Sequence, residues 1–129
     1  MKTILILVLL IAVFFVVKRV LAGPSISPSE AAARVAAGAA VLIDVREPDE
    51  WKDGVAEPAL LCSFSDLRGA RGQWKPMLEA NRNKELILYC ASGARSGVAA
   101  DMLRREGFKV VNAGGFGGWR GAGLPVRQP

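Results

Sequence analysis

Leu86-Ile87-Leu88-Tyr89-Cys90-Ala91-Ser92-Gly93-Ala94-Arg95-Ser96 is the stretch that decides how this chain folds. An apolar run bounded by small and polar residues reads as a buried β-strand. After it, Val98, Ala99, Met102 and Leu103 recur at helical spacing as far as Gly107. The unit is therefore strand, short loop, helix, with Cys90 closing the strand. In α/β sheets, ligands sit at the carboxyl ends of strands. A loop of small residues there can turn its backbone N–H groups towards one point, and the following helix aims its positive end at the same point. Gly93 frees the backbone for positive φ, and Ala91 and Ala94 leave room above the sulfur. A cysteine in such a cradle ionises below the free value of about 8.5. The plainer reading of Cys90 is a buried small apolar residue. Its place at a strand end, before a loop carrying Arg95, favours the functional one.

Working outward, Val41-Leu42-Ile43-Asp44-Val45 and Phe108-Lys109-Val110-Val111 read as two further strands. Ser27-Pro28-Ser29-Glu30 opens a helix, with Ser27 as N-cap, Pro28 in the first helical position and Glu30 closing a capping box. The Ala-rich stretch that follows stops at Gly38. Glu47 to Glu50 reads as a short acidic helix or turn beside Trp51. Ser65 to Ala80 is helical in composition but broken by Gly69, Gly72 and Pro76. Gly114 to Trp119 reads as a glycine-rich loop with aromatic anchors. Strands alternating with helices give an α/β fold, a small, largely parallel sheet flanked by helices.

The chain has 129 residues. Residues 1–22 stand apart, 23–26 read as a linker, and 27–129 as one domain. It contains no histidine, which excludes Ser-His-Asp and Cys-His hydrolases and zinc sites built on imidazole. Its 2 cysteines make neither an all-cysteine zinc site nor a disulfide scaffold, so no metal and no cofactor is expected. The net charge of +5 owes three units to Lys2, Lys18 and Arg19. The remaining basic residues are mixed among the acids, which argues against a nucleic-acid partner. Ile4 to Val17 is an unbroken apolar run. Continued to Ala22 with Lys18 and Arg19 snorkelling, it would reach about 28 Å as a helix. The expectation is a single N-terminal membrane span over residues 4–22. The alternative is export, with a signal peptide cleaved after Ala22.

Two chemistries use a loop of this kind. Protein-tyrosine-phosphatase-like enzymes hold phosphate in a Cys-x5-Arg loop. Here the spacing is Cys90-x4-Arg95, a smaller cup that suits a single sulfur, and Asp66 is the one acid left open as a proton donor. Taken with its flanks, the chain resembles a single-domain rhodanese, a rhodanese-like sulfurtransferase, from Ile26 to Val126. The resemblance rests on Asp44-Val45-Arg46-Glu47-Pro48-Asp49-Glu50-Trp51, on Tyr89 to Ser96, and on Ala113-Gly114-Gly115-Phe116-Gly117-Gly118-Trp119 through Gly123-Leu124-Pro125-Val126. Where that family usually reads Gly-His-Ile-Pro-Gly-Ala, this chain has Gly54-Val55-Ala56-Glu57-Pro58-Ala59, a segment that shapes structure beside the site.

The resemblance implies that Cys90 takes a sulfane sulfur from a donor such as thiosulfate and passes it, as a persulfide, to a thiol or cyanide. It implies that the Ala91, Ser92, Gly93, Ala94, Arg95 and Ser96 segment holds the anionic outer sulfur. Arg95 would bind the donor's anionic group or brace the loop, and Asp44 and Arg46 would support the site. Arg46 and Glu50 are expected to form a structural ion pair. Cys62, in an apolar run, is expected to be a buried small residue, with a resolving role towards Cys90 as its alternative. A non-catalytic rhodanese-like module, binding a partner or carrying persulfide at the membrane, is the competing function.

Overall fold

The computed structural model describes residues 1–21 and 23–129. Among the described residues, seven helices and six strands follow in the order α1 (Lys2–Leu21), α2 (Pro28–Ala36), β1 (Ala40–Asp44), α3 (Pro48–Trp51), β2 (Val55–Ala56), β3 (Leu60–Leu61), α4 (Phe64–Leu67), α5 (Trp74–Ala80), β4 (Glu85–Cys90), α6 (Ala94–Arg105), β5 (Val110–Gly115), α7 (Phe116–Gly121) and β6 (Val126–Arg127). Four strands make one sheet in the order β3-β1-β4-β5, every neighbouring pair parallel. The small-sheet, helix-flanked α/β reading therefore holds. β2 and β6 form a separate antiparallel pair; strands of two residues carry too little pattern to be seen in sequence.

Side-chain alternation along β4 builds both halves of the core. Leu86, Leu88 and Cys90 face a layer with Leu67, Trp74, Ala99 and Leu103 from α4, α5 and α6. Ile87 and Tyr89 face the other layer, with Ala31, Val111, Phe116 and Trp119. All six β4 residues are buried, so the continuous apolar run records burial on both faces. The order in which strands are added reverses between β1 and β4, because β3 lies on one side of β1 and β4 and β5 on the other. Asp44 and Cys90, the last residues of these two adjacent strands, thus sit where α/β sheets place ligands.

Local expectations meet mixed outcomes. Ser27 caps α2 by accepting the Glu30 N–H at 3.1 Å, but Glu30 does not close a box. Its carboxylate takes Arg34 Nε at 3.0 Å instead, one turn along the helix. The third strand begins at Val110 and runs to Gly115 rather than covering Phe108 to Val111. The glycine-rich segment is not a loop, because Gly114 and Gly115 finish β5 and Phe116–Gly121 is helical. Buried Phe116 and Trp119 hold that helix to the sheet despite its glycines.

In α1, the large apolar side chains from Ile4 to Val17 are about half or more exposed. Among the described residues no helix is long and apolar enough to cross a membrane. The apolar run reaches only about 21 Å, against about 30 Å of hydrocarbon, before Lys18 interrupts it. The expected membrane span is therefore without support, and the cleavage expected after Ala22 lies outside the described residues.

Candidate active site

Cys90 ends β4 fully buried, beneath a loop whose Ala91, Ser92 and Ala94 are exposed. Gly93, with φ at +91°, is the N-cap of α6, a conformation that side chains rarely adopt. It turns the Gly93 N–H onto Cys90 Sγ at 3.0 Å, and Ser96 Oγ lies 3.4 Å from the same sulfur. Burial pushes the Cys90 thiol up, but the Ser96 hydroxyl and the backbone N–H groups of Ser96, Ser92 and Gly93 outweigh it and hold the thiol below its ordinary value. Of the other loop amides, that of Ala94 turns to Ser92 Oγ at 3.4 Å. Sγ is thus held by hydrogen-bond donors at the start of a 12-residue helix.

The loop is clamped from the β5 side. A Cβ on Gly115 would stand 2.5 Å from the Ala91 carbonyl oxygen, and one on Gly93 would stand 3.2 Å from Gly114 Cα. This close approach of two backbones is the physical reason for glycine at 115 and 93, whereas Gly114 has open space about its Cβ position and owes its glycine to a φ of +83°.

A second network supports the site from β1. Asp44 is fully buried and receives Arg46 Nη2 at 2.8 Å, Arg46 Nε at 3.1 Å and the Tyr89 hydroxyl at 2.6 Å. Tyr89 Oη accepts the Ala56 N–H at 3.0 Å, and Arg46 Nη2 also donates to Gly54 O at 2.8 Å. Gly54 and Ala56, the segment that departs from the usual family pattern, are thereby fixed to the ends of β1 and β4. The Arg46 guanidinium lies 4.4 Å from the Phe116 ring centroid, tying in α7.

The expected Arg46–Glu50 ion pair does not form. Arg46 reaches Glu50 only at its backbone carbonyl, at 3.2 Å. The Glu50 carboxylate instead takes both Arg95 Nη1 and Nη2, at 2.6 and 2.8 Å. Two residues from Asp44, Arg46 folds back onto its own strand end and leaves Glu50 for the helix that follows Cys90. This bidentate pair holds Glu50 down to about 2. Both terminal nitrogens of Arg95 face Glu50, which joins α3 to the first turn of α6.

Asp66 is occupied elsewhere. It accepts the N–H groups of Gly72, Gln73 and Trp74 at 3.1, 2.8 and 3.3 Å, capping the start of α5. Cys62 is buried with Sγ 3.6 Å from Gln73 O, and burial pushes its thiol up to about 12. It has the surroundings of an inert core cysteine.

Sequence reasoning missed Asn112, Tyr89 and the Glu50–Arg95 pairing. Asn112 carried a signal: an amide within Val110-Val111-Asn112-Ala113 is unusual in a strand.

The family model for the rhodanese-like domain matches residues 27–122. A sulfurtransferase from Allochromatium vinosum is 34% identical over 91 residues, 69% of this chain and 79% of that protein. A mitochondrial protein from Schizosaccharomyces pombe is 38% identical over 91 residues, and the match spans 60% of its length. Among solved structures, a rhodanese-related protein from Thermoplasma volcanium superposes with a TM-score of 0.70 at 30% identity, covering 83% of this chain and 100% of that one. With its parallel sheet and its cysteine loop in place, the chain belongs to the rhodanese-like sulfurtransferase family.

Proposed function

We propose that this chain transfers a sulfane sulfur from a donor such as thiosulfate to cyanide or a thiol through a persulfide on Cys90. The observation that carries the reading is Cys90 Sγ held at 3.0 Å by the Gly93 N–H at the start of α6. The Cys90 thiolate attacks the outer sulfur of thiosulfate. The donor's S–S bond breaks, and sulfite leaves with its electron pair. The new Cys90 persulfide carries its negative charge on the outer sulfur, against loop amides and the helix N-terminus. Cyanide then attacks that sulfur, thiocyanate departs, and the thiolate returns. No electron leaves or enters over the cycle, so the transfer itself calls for no redox partner. Arg95 acts through Glu50 to keep the loop closed, and Asp44 and Arg46 fix the floor beside it.

The test is thiocyanate formation from thiosulfate and cyanide by the full chain, with aryl-phosphate hydrolysis measured in parallel. Turnover is expected for sulfur transfer and not for phosphate, and Cys90→Ser should abolish it because a hydroxyl forms no persulfide. Sulfur transfer surviving in Cys90→Ser, or its absence from folded wild type, overturns the proposal. The latter result would favour the non-catalytic module.

A further inference from the structure

The geometry points to Asn112, on the edge strand β5, as a positioning residue that sets the hydrogen bonds around Cys90. The inference rests on the sulfur-transfer reading only for its consequence in turnover; the placement itself stands on contacts. Asn112 Nδ2 donates to Gly93 O at 2.9 Å. Its Oδ1 accepts the Gly114 N–H at 3.0 Å and the Ser96 hydroxyl at 2.8 Å. A carbonyl on one side and an N–H on the other fix which way the amide points. One side chain thereby holds Gly93 and Ser96, two of the three residues whose donors act on Cys90 Sγ.

The Asn112 backbone is fixed as well. Its N–H donates to Pro24 O at 3.1 Å, and its carbonyl accepts the Ile26 N–H at 3.0 Å. The chain just before α2 therefore lies along the free edge of β5 and keeps Asn112 from shifting away from the loop. Ser96 has a single hydroxyl proton and two acceptors within reach, Asn112 Oδ1 and Cys90 Sγ. Donation to Asn112 leaves a Ser96 lone pair for a neutral Cys90 thiol. Rotation towards Sγ meets the thiolate. The charged groups around Cys90 are Arg95 on α6, bound by Glu50 with Glu47 nearby, and the Asp44–Arg46 pair at the end of β1. None of these touches Asn112, so its replacement reads the loop rather than a lost charge.

The experiment is the pH dependence of Cys90 alkylation by iodoacetamide in the full chain, followed on the Cys90 peptide by mass spectrometry. Asn112→Ala frees the Ser96 hydroxyl for Sγ, which favours the thiolate, but it also releases the Gly93 carbonyl and with it the loop shape on which the Gly93 and Ser92 N–H groups depend. Loss of the loop donors is expected to outweigh the gain and to shift the alkylation profile upward by about 0.5–1 pH unit, a three- to tenfold slower reaction on its acid limb. Ser96→Ala should shift it in the same direction. The double variant should exceed the summed shifts, because without the Ser96 hydroxyl position 96 can no longer compensate at Sγ for the loss of Asn112. If Asn112→Ala does not fold, Asn112→Leu takes its place. It keeps a branched side chain, loses the donor to Gly93 O and both acceptor contacts and adds no charge, so an upward shift is again expected. An unmoved profile in a folded variant overturns the role of Asn112, whatever the turnover. A shifted profile in a wild-type background that makes no thiocyanate keeps this placement and removes the sulfur-transfer reading.

Discussion

Substituting alanine for Gly115 tests whether the end of β5 sets the shape of the cysteine loop. The Gly115 φ of −102° suits any residue, so backbone strain plays no part. The obstacle is the Ala91 carbonyl oxygen, 2.5 Å from the position a Cβ would take. Ordinary contact begins at 3.4 Å, so the loop must retreat by the difference, roughly 0.9 Å, or β5 must yield by as much. Overpacking of this kind costs about 1–3 kcal/mol, which lowers the melting temperature of a domain of this size by about 5–15 °C. Retreat of Ala91 drags Gly93 from Cys90, and misplacement of about 1 Å at a reacting centre can cost about 100-fold in rate. Thiocyanate formation and thermal melting on one preparation measure both effects. Gly121→Ala is the control: nothing lies within 4 Å of its Cβ position, and removing a helical glycine should leave stability unchanged or raise it by up to about 1 kcal/mol. A Gly115→Ala variant that melts and turns over like wild type would refute the clamp.

The Arg95 brace makes a different prediction: Arg95→Ala should depress turnover of thiosulfate and of a neutral sulfur donor alike, with earlier melting, whereas selective loss of thiosulfate use would show direct contact with the donor. The same pair has an acid limb. Glu50 stands at about 2 in the fold against 4.5 when free, so its stabilising contribution is complete above pH 4.5 and disappears as the pH falls towards 2. With both side chains about a third exposed, that contribution is below about 1 kcal/mol, and Glu50→Gln should remove this part of the pH dependence in melts between pH 2 and 6. Tyr89→Phe removes the hydroxyl shared by Asp44 and the Ala56 N–H and should cost about 2–4 kcal/mol in urea unfolding. A loss below 0.5 kcal/mol would show that the buried network is not anchored there.

Legibility in the sequence followed from how local each feature is. β4 was visible from Leu86 to Cys90 because burial on both faces excludes charge from those five consecutive residues. The Ser27 cap was visible because it involves residues three apart, and the cysteine loop because strand end, glycine and helix start are contiguous. The Arg46 partner was misread because the choice between Asp44 and Glu50 depends on where α6 delivers Arg95, 45 positions away from Glu50. The same reasoning covers Gly115, whose constraint comes from Ala91, and Tyr89, whose hydroxyl joins β4 to Asp44 and Ala56.

These non-local contacts share one design. The structural neighbours of the loop come from several elements: Glu50 from α3, Asn112 and Gly115 from β5, and the Asp44–Arg46–Tyr89 network from the ends of β1 and β4. A sulfur that must be anionic before transfer and anionic again as a persulfide needs donors that stay in place through both states, because reorganising them at each step would add to the barrier. A three-residue loop of small side chains, Ala91 to Gly93, cannot hold such a shape by itself; glycine and alanine supply space but no anchoring. The anchoring therefore lies in residues outside the cysteine motif. It follows that a chain retaining the whole Cys90–Arg95 stretch but lacking Glu50, Asn112 and Gly115 should keep the nucleophile and lose its activation, a difference that thiol alkylation at pH 6 would reveal before any turnover assay.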